Sequence, residues 1–127
     1  VYINSYESFV GFFSSMYSAK IMNLTVTNSY IMGVDCVGGI CAYVTETEVL
    51  NCYFDGAIVV HSDSASIKGK GGLFGYAVAN SSISNSGNYA NIWYIGNFNA
   101  KNIGGVVGNG YFTNINNCFN IISIFTH

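Results

Sequence analysis

The chain has 127 residues, half of them apolar and only 8% charged, so it can build the core of one domain while carrying few surface charges. Four Lys and Arg residues against six Asp and Glu residues give a net charge of −2, which leaves no basic cluster for binding nucleic acid. No apolar run reaches the roughly 20 residues of a membrane-spanning helix, and no paired spacing of Cys and His indicates zinc. We therefore expect no nucleic acid, no membrane span, no metal and no cofactor.

Four copies of a short pattern follow one another along the chain. They read VGFFSSMYSAKIMN from Val10, GGICAYVTETEVLNC from Gly38, GGLFGYAVANSSISNS from Gly71 and GGVVGNGYFTNINNC from Gly104. The copies align on one glycine column, formed by Gly11, Gly39, Gly72 and Gly105. Successive glycines of this column lie 28, 33 and 33 residues apart. A period of this length indicates a repeat architecture in which each copy forms one structural unit.

Three further columns stand at nearly fixed distances from these glycines. The next residue is apolar, at Phe12, Ile40, Leu73 and Val106. A small residue stands three positions after the glycine, at Ser14, Ala42, Gly75 and Gly108. An asparagine stands 12 or 13 positions after it, at Asn23, Asn51, Asn85 and Asn117. Recurrence of four columns indicates that equivalent residues occupy equivalent structural positions.

The units are predicted to be strands, because no sustained period of 3.6 residues appears and Val, Ile, Tyr, Phe and Thr are abundant. In the third copy the runs GLFGYAV, SISNSGNYA and NIWYIGNF are separated by polar turn residues. Three short strands per repeat predict a right-handed parallel β-helix of about four rungs, where a rung is one full turn of the solenoid. Residues 1–127 would form a single solenoid segment, with repeats at about 9–36, 37–69, 70–102 and 103–127. Because both ends of the sequence look like continuing strands, we expect the segment to belong to a longer chain.

Stacking of rungs predicts three structural columns. The glycine column would form a backbone corner, since a residue without a Cβ permits unusual dihedral angles and close approach. The asparagine column would form a ladder of side-chain amides at a turn, where asparagine tolerates a left-handed backbone. We expect the ladder amides to be buried between rungs. The apolar column that follows the glycines would form a buried stack.

The alternation of strand side chains predicts an outward-facing apolar stripe. If the column of Phe12 points inward, the neighbouring column and the tyrosines two positions later must point outward. The residues of this possible interface stripe are Phe13, Cys41, Phe74, Val107, Tyr43 and Tyr76. An exposed apolar stripe is typical of an interface. We expect a protein partner, and the alternative is that the tyrosines stack on sugar rings.

Candidate catalytic groups are few, and each is more typical of a turn or loop. Glu46 and Glu48 could form a carboxylate pair of the kind used in glycoside hydrolysis, but no acids stack on them in the other copies. His61 with Asp63 and a neighbouring serine suggests a triad only by proximity in the sequence. Lys68 and Lys70 stand beside a glycine pair, which recurs elsewhere without lysine and without a following helix. We predict no catalytic, cofactor-binding or metal-binding residues.

The cysteines are expected to be reduced and packed. Cys52 and Cys118 fall in one column two rungs apart, at about 9.6 Å, which is beyond the reach of a disulfide. A bridge between Cys36 and Cys41 remains open at this point. Asn80 begins an Asn-Ser-Ser glycosylation sequon in a predicted turn.

The repeats resemble the GLUG motif family, whose copies open on a Gly-Gly-Leu-Val-Gly-Tyr-like stretch and continue through a polar turn to an Ile-x-Asn stretch. GGLFGYAVANSSISNSGN from Gly71 matches this pattern best, and the first copy, which lacks the glycine pair, matches it weakly. The resemblance implies an adhesin-like or surface-associated repeat protein and supplies no catalytic residues.

We therefore expect a non-enzymatic structural or adhesion module that associates with flanking parts of its own chain or with neighbouring subunits. The expected location is extracellular or at the cell surface. The alternatives are a carbohydrate-binding or polysaccharide-processing β-helix and an intracellular, cytoskeleton-associated filament.

Overall fold

The computed structural model describes residues 1–62, 68–96, 102–121 and 123–126, which contain strands and connections and no helix. The strands of the described residues are β1 Tyr2–Asn4, β2 Phe9–Val10, β3 Phe13–Tyr17, β4 Lys20–Met22, β5 Thr25–Gly33, β6 Cys36–Gly38, β7 Cys41–Thr45, β8 Glu48–Leu50, β9 Tyr53–Ser62, β10 Lys70–Gly71, β11 Phe74–Ser84, β12 Gly87–Asn88, β13 Asn91–Gly96, β14 Ile103–Gly104, β15 Val107–Asn116, β16 Phe119–Asn120 and β17 Ile124–Thr126.

The strands form three parallel sheets that wind into a β-solenoid of about four rungs. The first sheet has the order β14-β10-β6-β2, with one strand from each rung. The second sheet contains β3, β4, β7, β8, β11 and β15, and the third contains the remaining seven strands. All strand pairs among the described residues are parallel. Each strand pairs with strands of the preceding or following rung. The predicted all-β solenoid fold is confirmed.

The core consists of apolar columns that run through the rungs. One column on the third sheet consists of isoleucines that are register partners on five successive strands, namely Ile3, Ile31, Ile58, Ile92 and Ile124. Its three inner members are fully buried, and each complete burial stabilises the fold by about 1.5–3 kcal/mol. Opposite them, on the second sheet, lies the column of Ile21, Val49, Ile83 and Ile115.

The glycine column lies at the corner between the first and second sheets. In the three later rungs the corner repeats position by position, and Gly39 donates a backbone hydrogen bond to the carbonyl of Gly72 at 3.2 Å. The first rung differs, because two residues separate Val10 from Phe13 whereas three separate their partners Val37 and Cys41. Its single glycine, Gly11, therefore lies opposite a glycine pair and has no single counterpart.

The corner requires glycine because other groups occupy the space of a side chain. A Cβ on Gly39 would overlap the ring of Phe54, and a Cβ on Gly72 would overlap the side chain of Asn88. Phe54 and Asn88 are paired in register on the third sheet and are fully buried. Side chains from the far side of the solenoid thus pack directly on the corner backbone.

The irregular repeat lengths have local structural causes. The connection from β5 to β6 needs only residues 34–35, whereas the connection from β9 to β10 spans residues 63–69. The extra residue before Asn85 forms a bulge, where Ala79 and Asn80 adopt left-handed φ angles of 51° and 62°. What the sequence predicted as a turn between two strands in the third copy is this bulge within the single strand β11. The corner with the third sheet follows at Asn85.

Replacing Gly72 with alanine should destabilise the protein by about 2–3 kcal/mol, because the new Cβ would overlap Asn88 and the carbonyl of Gly105. Gly110→Ala is the matched control, since the nearest atoms to its Cβ would be 3.8 and 3.9 Å away, and its effect should stay within about 0.5 kcal/mol. Urea unfolding followed by circular dichroism measures both values. Equal losses at the two positions would contradict the corner packing.

Candidate functional site

The four asparagines of the predicted ladder lie at the corner between the second and third sheets. Each has a left-handed backbone, with φ between 49° and 57°. Asn51 Nδ2 donates to Asn23 Oδ1 at 2.8 Å, and Asn117 Nδ2 donates to Asn85 Oδ1 at 2.6 Å. The stacking therefore joins the side chains in two pairs. Between the pairs, Asn51 Oδ1 accepts a hydrogen bond from the Tyr53 hydroxyl at 2.8 Å instead.

The expectation that the ladder amides are buried is wrong, since all four side chains are exposed to solvent. A buried asparagine, which was not predicted, lies elsewhere. Asn88 is fully buried on the third sheet, and its Nδ2 donates to Asn120 Oδ1 at 2.7 Å. Its Nδ2 also donates to the carbonyl of Ala90, and its Oδ1 accepts a hydrogen bond from the Ala90 backbone N–H. Asparagine thus suits the corner ladder mainly because it tolerates the left-handed backbone there. At position 88 it is suited instead by the hydrogen bonds that its amide forms in the core.

The predicted interface stripe does not form one outward surface. Cys41 and Phe74 are fully buried in the core, and Val107 is half-buried. Phe13 in the first rung is 39% exposed because no further rung covers it in the structure. Tyr43 and Tyr76 are half-buried, with their rings in contact at 5.7 Å between centroids.

The cause of this error is a break in the alternation of side chains. In the three pairings that join β3, β7, β11 and β15, the register passes over the small-residue column of Ser14, Ala42, Gly75 and Gly108. The first sheet crowds this column, since a Cβ on Gly75 would lie 2.9 Å from Cys36 Sγ. The irregularity lets Cys41 enter the core while Tyr43, two residues later, faces outward.

The predicted apolar stack after the glycines is buried only in its inner members. Ile40 and Leu73 are fully buried, Val106 is half-buried and Phe12 is 39% exposed. In the other core columns, too, the exposed fraction of the side chains rises from the inner rungs to the outer ones. The reason is that the first and fourth rungs each have a described rung on one side only.

The two end rungs carry most of the exposed large apolar side chains. Among the described residues, those at the first end are Val1, Tyr2, Tyr6, Phe9, Phe12, Phe13, Tyr17 and Met22. Those at the other end are Tyr111, Phe112, Ile115, Ile121, Ile124 and Phe125. Of the described residues in this group, only Tyr89, Trp93 and Ile95 belong to a middle rung. The strands β2 and β14 are also the two edges of the first sheet, so each pairs with a described strand on one side only.

The candidate catalytic acids each interact with the first rung. Glu46, with a left-handed φ of 49°, accepts a hydrogen bond from Ser18 Oγ at 2.8 Å. Glu48 forms an exposed ion pair with Lys20 at 3.2 Å. His61 is an exposed residue near the end of β9, whereas Asp63, Ser64 and His127 lie outside the described residues.

The side chain of Lys70 occupies a core position of the first sheet, where this residue is in register with Val37 and Ile103. It is buried, its Nζ donates to the carbonyl of Lys68 at 2.7 Å, and burial lowers the pKa of its ammonium. Lys68 forms an ion pair with Asp35 at 3.1 Å. The lysines beside the glycine pair thus contribute to packing and ion pairing at the edge of the core.

All four cysteines are free thiols, and Cys118 alone among them is half-exposed. Burial raises the pKa of Cys41 to about 12. Burial, together with the neighbouring carboxylate of Asp35, raises the pKa of Cys36 to about 12. These two thiols are therefore protonated at neutral pH and pack as small apolar groups, as expected from the sequence.

Within the described residues, no group of three or more His, Cys, Asp and Glu side chains is arranged to hold a metal ion. The same part of the chain has no helix long and apolar enough to cross a membrane.

Comparison with known proteins yields no significant match among family models, curated proteins or solved structures. The resemblance to the GLUG motif family therefore stays a prediction.

Replacing Asn51 with alanine should cost about 1–2 kcal/mol, from the left-handed backbone and the loss of the bond to Asn23. Asn51→Gly should cost less, because glycine adopts this backbone without steric penalty but also lacks the amide. The free energy of unfolding in urea, compared for the two variants, separates the two contributions. If glycine were as harmful as alanine, backbone conformation would not explain the asparagine.

The raised thiol pKa values predict a loss of stability in alkali. Above the ordinary thiol pKa of 9.0 the unfolded chain releases these protons while the folded chain retains them up to about 12, so stability present below pH 9 should fall across this range. Unfolding in urea with a reductant, at neutral pH and near pH 10, measures the fall. Cys41→Ala should lower stability at neutral pH but flatten its dependence on pH. An unchanged slope would show that Cys41 does not contribute.

Proposed function

We propose that the chain is a non-enzymatic structural module, a rigid solenoid that associates through its end rungs and serves in assembly or surface attachment. The observation that carries the proposal is the concentration of exposed apolar side chains on the two end rungs. A fold in which each rung covers its neighbour presents, at either end, the same columns that form its core.

Two properties of the end rungs favour association with another rung. Their core columns are partly uncovered, as shown by Ile115, which is 48% exposed although its register partner Ile83 is fully buried. Their strands also retain backbone groups on one side that pair with no described strand, and such edges template further strand pairing. A parallel β-rung supplied by the same chain or by a neighbouring subunit satisfies both requirements.

The low charge of the chain supports this proposal. With only 8% charged residues and a net charge of −2, repulsion between copies is weak. The resemblance to surface-associated GLUG repeat proteins points in the same direction and favours a location outside the cell.

Association should respond to a charge placed on an end rung. Wild-type protein should sediment above the 13.7 kDa of one chain, with a concentration-dependent mass. Ile115→Lys puts an ammonium group in the face that an incoming rung would cover, so it should shift the mass toward that of one chain. Ile95→Lys, on a middle rung with 38% exposure, is the control and should change little.

A wild-type protein that sediments as a single chain at every soluble concentration would argue against the proposal. So would equal effects of the two lysine variants, since they would show that the end rung has no special role.

A further inference from the structure

The outer face of the third sheet contains a groove of about 340 Å³, which we call the aromatic groove. Its lining residues are Thr25, Thr27, Tyr53, Asp55 and Tyr89. They come from three successive rungs and alternate with residues of the interior. Phe54, for example, stands between Tyr53 and Asp55 and is fully buried. The groove is therefore built on a firmly packed sheet.

Aromatic rings from neighbouring rungs gather at this groove. The ring centroid of Phe119 lies 5.3 Å from that of Tyr89 and 6.1 Å from that of Tyr53. Phe119 reaches Tyr53 across an intervening rung because the residue between them is Gly87, where a Cβ would overlap the Phe119 ring. The glycine thus allows the ring of Phe119 to contact the rings of both tyrosines.

A small number of polar groups surround the rings. Thr25, Thr27 and Asp55 are exposed and offer two hydroxyls and a carboxylate. The Tyr53 hydroxyl donates to Asn51 Oδ1 at 2.8 Å, which fixes the orientation of its ring. None of the described lining residues is cationic.

We propose that the aromatic groove binds a neutral chain of pyranose sugars. A pyranose ring has C–H groups on its faces and hydroxyls on its rim. The C–H face packs against the electron-rich face of an aromatic ring. The hydroxyls fit the threonine hydroxyls and the Asp55 carboxylate, which together supply donors and acceptors. An apolar groove with a few polar groups that fix orientation is the usual form of a small-ligand site.

Two other ligand classes fit the groove less well. An anionic polysaccharide would meet the charge of Asp55 without a lining cation to offset it. An extended peptide binds most directly to a free sheet edge, but the groove lies on a sheet face, where β9 is already paired with β5 on one side and with β12 and β13 on the other.

Native gel electrophoresis in the presence of soluble polysaccharides tests this proposal on the intact chain. Mixed-linkage β-glucan, xylan and galactomannan serve as neutral probes, and polygalacturonate serves as the charged probe. We expect at least one neutral polysaccharide to slow the protein and polygalacturonate to leave its mobility unchanged. Tyr89→Ala should weaken the neutral interaction about threefold to tenfold.

The control variant is Tyr76→Ala, which removes a half-buried tyrosine that lies on the second sheet in a middle rung, outside the groove. It should bind like the wild type, and thermal unfolding should show that both variants are folded. Absence of retardation by all three neutral polysaccharides would overturn the proposal, as would equal losses in the two variants or stronger retardation by polygalacturonate. Sedimentation should not change in Tyr89→Ala, so this test fails or succeeds independently of association through the end rungs.

Discussion

Parallel pairing between successive rungs is the constraint on which the structure depends. Backbone hydrogen bonds between rungs hold each residue over its counterpart one rung away, about 4.8 Å apart. Each position in the repeat therefore has to suit a stack of like neighbours as well as its own strand. The isoleucine column from Ile3 to Ile124 satisfies this requirement through identical side chains that pack on one another along the whole core.

The same constraint explains where the repeat tolerates variation. Corners cannot vary freely, because the side chain at Phe54 or Asn88 packs on the corner backbone and requires glycine there. Connections between the third and first sheets lie outside the paired rungs, so their length changes from 2 residues after β5 to 7 after β9 without disturbing the register. An added residue inside a strand is absorbed as a bulge at Ala79 and Asn80. Loops and bulges thus carry the insertions while the corners and the core columns stay fixed.

This distribution of variation also determines how far the sequence could predict the structure. The fold class could be predicted, since the glycine and the asparagine of each copy lie on one continuous stretch whose length varies by only one residue. The isoleucine column could not, because the variable connections come between its members. The outward placement of Cys41 was wrong because strict alternation was assumed across Ala42, where the pairing is interrupted. Asn88 was missed because asparagine usually indicates a turn, and only three-dimensional packing shows that it bonds inside the core.

End rungs and side faces differ in the kind of recognition they can provide. An end rung offers backbone groups and aliphatic columns that any parallel rung of similar shape can meet, so it favours association while discriminating little between partners. A side face has its backbone already paired, and its outward residues do not contribute to the core. Residues such as Tyr89 and Asp55 can therefore change without loss of the fold, which leaves specificity to the side faces. Under the two proposals made above, the end rungs would supply association and the aromatic groove would supply selective binding.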